Sequence, residues 1–122
     1  MWSNCLFVAL GGGLGAVGRY LLSLIAAPWS FPVMTLLTNF LGAMVIGAVA
    51  QAAGQLPMSK SAVLFLKTGL CGGFTTFSTF SLETVELLEQ GRWAAGGGYI
   101  LASVGLCLAG VLLGRALVWK IL

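Results

Sequence analysis

Histidine and aspartate are absent from this 122-residue chain, and its only acidic residues are three glutamates, Glu83, Glu86 and Glu89. Metal sites of the His/Cys/Asp type are thereby nearly excluded, and no nucleophile–base pair can be assembled for enzyme chemistry. Charge is scarce altogether, at 7% of residues, against about 25% in a soluble domain. The six basic residues, Arg19, Lys60, Lys67, Arg92, Arg115 and Lys120, are scattered. No cluster tracks a phosphate backbone, so nucleic acid is not a partner. Three cysteines, Cys5, Cys71 and Cys107, lie in apolar runs and are odd in number, which fits small buried residues and not a disulfide framework. Three prolines leave long stretches uninterrupted.

What remains is apolar. Hydrophobic residues make up 59% of the chain and its mean hydropathy is +1.04. There is too little polar surface to solvate a globule, so the chain reads as an all-α integral membrane protein whose surroundings are the lipid bilayer. A span needs roughly 20 apolar residues. Four spans are expected, at about residues 3–26, 32–54, 60–89 and 94–120, forming a single transmembrane domain with no room for a soluble one. The N-terminus has no basic n-region and does not read as a cleaved signal peptide. Connections of a few residues make neighbouring spans antiparallel.

Lys60, Lys67, Arg115 and Lys120 fall on the side of the termini, and Arg19 and Arg92 on the other. That excess is weak for the positive-inside rule. Insertion in both orientations, and pairing as an antiparallel homodimer, is expected. In the first span Gly11, Gly15 and Gly18 share a face suited to close helix approach. The triple glycine at 11–13 mimics a nucleotide-binding turn, but it lies inside an apolar span and follows no strand, so it is discarded.

Residues 72–81 read Gly-Gly-Phe-Thr-Thr-Phe-Ser-Thr-Phe-Ser, near the midpoint of the third expected span. A glycine pair and five hydroxyls at that depth are unexpected in a plain anchor. The third helix is expected to break there, facing protein or water because lipid cannot satisfy freed backbone groups. Thr35, Thr38, Asn39 and Gly42 share one face of the second span. The Asn39 amide needs a partner; it either lines a pathway or makes a stabilising interhelical hydrogen bond. Tyr99, Ser103 and Cys107 form a stripe along the fourth span, continued by Gly110 and Gly114, which is either packing detail or the wall of a pathway. Glu83 is deep enough to need partners or a wet vestibule. Glu86 and Glu89 lie near the aqueous end, with Glu89 placed to pair with Arg92 at i+3. Arg19 either snorkels to lipid phosphate or draws an anion inward, and Lys67 snorkels to the membrane surface.

The motif offers donors without charge: the hydroxyls of Thr75, Thr76, Ser78, Thr79 and Ser81, the Asn39 amide, and N–H groups of a restarted helix. Phe74, Phe77 and Phe80 add ring edges, the positive side of the aromatic quadrupole. Such groups suit a small, strongly hydrated anion, although carbonyls at a break can also hold a cation.

Three motifs carry a resemblance: Gly12-Gly13, Gly15-Ala16 and Arg19-Tyr20; Thr35-Leu36, Asn39 and Gly42; and the run from Gly69 to Ser81. Together they resemble the Fluc/CrcB fluoride channels of bacteria over the full length. The resemblance implies a dual-topology antiparallel dimer in the bacterial inner membrane, with two passive fluoride pores that export the ion from the cytoplasm. It places Asn39, Phe77, Phe80, Tyr99, Ser103 and Cys107 on the pathway, with Glu83 beside it, Thr76 and Thr79 supporting the break, and Arg19 near the entrance. It assigns the backbone carbonyls of Gly72 and Thr75 to a central structural sodium ion. Cys107 departs from the family's frequent serine, and a thiol is a weaker donor. The competing reading is a four-helix proton-coupled multidrug antiporter. That type needs a carboxylate in its first helix, and no acidic residue here precedes Glu83.

Overall fold

Apolar runs punctuated by Pro and Gly set the helix boundaries. The computed structural model describes residues 1–122 and is entirely helical. Helix α1 spans Trp2–Ser23. It ends short of the expected residue 26 because the Leu24 and Ile25 amides close tight bonds onto Leu21 and Leu22, ahead of Pro28. Helix α2, Val33–Gln55, starts directly after Pro32, a residue with no N–H to lose at a helix start. Helix α3 is built from Lys60–Val63, a π-helical stretch Leu64–Cys71, and Gly72–Phe74. Its first turn is capped by Ser59, whose hydroxyl accepts from the Ala62 N–H at 3.1 Å.

Thr75 and Thr76 are extended, and helix α4 follows at Phe77–Glu89. It closes at Gly91, whose φ of +75° only glycine adopts freely. The Arg92 amide bonds to the Leu87 carbonyl and the Gly91 amide to Leu88, both at 3.0 Å, which is a Schellman closure. Helix α5 spans Trp93–Ile121. Helices α1, α2 and α5 are long and apolar enough to cross a membrane.

Packing pairs α1 with α3 and α2 with α5. Lipid gives no hydrophobic drive between helices, so close backbone approach through small residues takes its place. A Cβ on Gly11 would run into the Phe65 carbonyl oxygen, and one on Gly15 would stand 2.7 Å from the Phe74 nitrogen. Gly73 returns the contact, with a Cβ there meeting the Gly12 backbone. The expected small-residue face of α1 is thus its seat on α3. On the other pair, Gly47 faces Val111 and Gly114 faces Met44 and Ala48, backbone to backbone. The outer faces carry exposed Leu14, Val17, Leu101, Leu108 and Leu112. The core is a small cluster of Phe80, Leu87 and Tyr99.

Candidate functional site

The site is organised around the two extended residues between α3 and α4. The Thr75 hydroxyl donates back to the Cys71 carbonyl at 2.9 Å, in line with its own amide at 3.0 Å. Thr76 has left the helix, so its backbone groups need partners from elsewhere. Asn39 supplies both. Its Oδ1 accepts the Thr76 N–H at 2.8 Å, and its Nδ2 donates to the Thr76 carbonyl at 3.1 Å. The Thr76 hydroxyl caps α4 by accepting from the Thr79 N–H at 3.2 Å, and lies 3.0 Å from the Thr79 hydroxyl. Phe77 and Ser78 begin α4 with no turn of helix behind them, so their N–H groups belong to the unsatisfied first turn.

The face of α2 that carries Thr35, Thr38, Asn39 and Gly42 seats this junction. Gly42 leaves room for the Thr75 methyl, which a Cβ would overlap. Thr38 is buried and turns its hydroxyl to the Met34 carbonyl at 2.7 Å. One helical turn before Asn39, the Thr35 hydroxyl donates to Glu83 Oε1 at 2.7 Å, while the Tyr99 hydroxyl donates to Oε2 at 2.8 Å. Both carboxylate oxygens are therefore engaged, and Glu83 ties α2, α4 and α5 together. Thr35 was visible in sequence only as a member of a polar face; its bond to Glu83 spans 48 positions and leaves no local signal.

Phe80 is buried at 8% exposure, edge-on to the fully buried Tyr99 with ring centroids 5.1 Å apart. Phe77 stands outside at 78% exposure, its ring 5.4 Å from Phe80. One turn along α5 from Tyr99, the buried Ser103 hydroxyl has no hydrogen-bond partner. Such orphans are rare in native structures, so this hydroxyl keeps its bonding capacity for a group from outside the chain.

Two cavities meet at Thr76. One of about 600 Å³ is lined by Asn39, Lys67, Gly72, Thr75, Thr76, Phe77 and Cys107. The other, about 130 Å³, is lined by Arg19, Thr35, Thr76, Thr79 and Glu83. The structure thus gathers Arg19, Thr79 and Glu83 on one side of the junction and Phe77 and Cys107 on the other, with Asn39 holding the junction itself. Arg19 turns inward, its Nε donating to the Gly73 carbonyl at 3.3 Å. Lys67, assigned from sequence to the membrane surface, lines the larger cavity. The expected Glu89–Arg92 pair is replaced by a bond from Arg92 to the Ser30 carbonyl at 3.1 Å. The i+3 spacing assumed a continuing helix, and the turn at Gly91 takes Arg92 out of it.

The carbonyls expected to hold sodium can be tested on their bonding. The Gly72 carbonyl loses its helical partner, because the Thr76 N–H goes to Asn39. The Thr75 carbonyl receives no backbone N–H. Neither oxygen accepts a hydrogen bond within the chain, and carbonyl oxygens are ligands that suit a hard cation.

These features define a multi-pass membrane protein whose polar groups converge on a helix junction with hydroxyl and amide donors. Residues 6–115 match the family described as CrcB-like protein, Camphor Resistance (CrcB). The chain is 45% identical over 118 residues to a "Fluoride-specific ion channel FluC" of Ruminiclostridium cellulolyticum, covering 93% of this chain and 91% of that one. It is 48% identical over 115 residues to a protein of the same name from Roseiflexus sp., covering 91% and 93%. A third, from Shewanella frigidimarina, is 47% identical over 122 residues, covering 97% and 98%. The chain belongs to the CrcB family, a family of ion channels and not of enzymes.

Proposed function

We propose that this protein is a passive, fluoride-selective channel of the bacterial inner membrane. The observation that carries the reading is that Thr76 lines two cavities, whose walls offer hydroxyls, an amide and the Phe77 ring. An anion crossing there exchanges part of its water shell for donors that bind weakly enough to release it. Lys60 to Glu89 then acts as one span broken at its centre. Asn39 sets the break, Phe77 and Phe80 present ring edges, and Tyr99, Ser103 and Cys107 form the facing track. The orphaned Ser103 hydroxyl supports a donor role, since it has nothing else to bond. Glu83 and Arg19 shape the approach on the smaller-cavity side.

The working unit is an antiparallel homodimer with two pores. The 78% exposure of Phe77 beside an open cavity supports a second copy as cover, and the weak charge bias supports both orientations. Two free carbonyls per chain make half a cation shell, and a second copy brings the other half. Gly72 and Thr75 would hold the sodium ion, which supplies a fixed positive charge when bound. Export needs no pump. Hydrogen fluoride enters neutral and ionises in the cytoplasm, and an inside-negative potential drives the anion out with about 2.3 kcal/mol per 100 mV.

Efflux from liposomes holding the purified protein tests the reading, with fluoride compared against chloride and no pH gradient. Fast fluoride efflux with chloride retained is expected. Efflux that requires a proton gradient, or none at all, would refute it.

A further inference from the structure

Among the side chains of this chain that line the larger cavity, Asn39, Thr68, Thr75, Thr76 and Cys107 are neutral, and only Lys67 is ionised. The α3 side of the cavity is lined by Lys67, Cys71 and Thr75, with Thr68, Gly72 and Thr76 beside them, so Lys67 shares this wall with the Thr75–Thr76 junction. Lys67 is exposed, on a flexible stem.

We propose that Lys67 is an anion-concentrating residue of the larger cavity, raising the local level of a small inorganic anion before it reaches Asn39 and Phe77. This rests on the channel reading above. A cation in a low-dielectric cleft focuses field and increases counter-ion occupancy in a salt-dependent way. It acts on encounter and leaves the donors at the junction unchanged.

The test is fluoride current through the reconstituted protein against fluoride concentration, at low and high ionic strength set by a non-permeant salt. Lys67→Met is expected to lower the current about 2- to 10-fold at low fluoride and low salt. The deficit should shrink at high salt and at saturating fluoride, and Lys67→Arg should restore the wild-type value. Should Lys67→Met fail to assemble by size-exclusion chromatography, Lys67→Gln takes its place. Wild-type current in the neutral variant at both salts would overturn the inference while leaving the channel reading intact. A wild-type protein that passes no fluoride would overturn both.

Discussion

Replacing Asn39 with leucine keeps the side chain's approximate volume and removes both bonds that hold Thr76. The Thr76 N–H and carbonyl would each be left unsatisfied at a part-buried site. A buried orphan costs about 1–3 kcal/mol, so the pair together costs about 2–6 kcal/mol. Even the lower figure shifts the population of the native junction about 30-fold, since 1.4 kcal/mol is a factor of ten. Hydrogen exchange at the Thr76 amide reports the opening directly. Asn39→Leu should raise its exchange rate at least 10-fold and lower fluoride efflux, with other helical amides little changed. Asn39→Asp separates geometry from charge. Ionised, the new carboxylate still accepts the Thr76 N–H but repels the carbonyl; protonated, it can serve both groups as the amide does. Asn39→Asp should lose Thr76 protection with rising pH while the wild type does not. Wild-type protection and efflux in Asn39→Leu would show that the clamp is incidental.

Other substitutions separate packing from permeation. Phe77→Ile, at an exposed ring, should change the melting temperature little while cutting fluoride efflux; Phe80→Ile should do both, losing about 1 kcal/mol or more with the Tyr99 edge contact. Wild-type efflux in both would refute the ring-edge role. Gly15→Ala meets backbone atoms of Leu70 and Phe74 and should destabilise by about 1–3 kcal/mol, whereas Gly13→Ala, with nothing within 4 Å, should melt as wild type. Tyr99→Phe removes a bond to a carboxylate and should cost about 1.5–3 kcal/mol. That loss should fall clearly in a Glu83→Gln background, measured as a double-mutant cycle.

Hydropathy and helix punctuation were legible in the sequence because they are local. Pro32 and Pro57 bracket α2, and the expected limits of the first, second and fourth spans lie within three residues of α1, α2 and α5. The Gly11 and Gly15 face also read correctly, since helical spacing alone places small residues together and its seat on α3 follows from the backbone approach. The partners of Asn39 and Glu83 were not legible. Both residues announce a need for partners by being polar in an apolar run, but the groups that answer lie 37 and 48 positions away, or on a different helix. The π-helical winding of Leu64–Cys71 was invisible for another reason. Its residues Leu-Phe-Leu-Lys-Thr-Gly-Leu-Cys suit either helix type, and the stretch packs against α1, a contact with no local signal. Arg92 shows an error of another kind, where a short-range rule was applied across a glycine turn that ends the helix.

The central claim is passive conduction of fluoride, and the reversal potential of single-protein or macroscopic current in planar bilayers tests it most directly. With a fluoride gradient, symmetric chloride and equal pH on both sides, the current should reverse near the fluoride equilibrium potential, moving about 59 mV per tenfold gradient. A reversal potential that follows chloride or a proton gradient, or the absence of current where fluoride still moves, would contradict a selective passive channel.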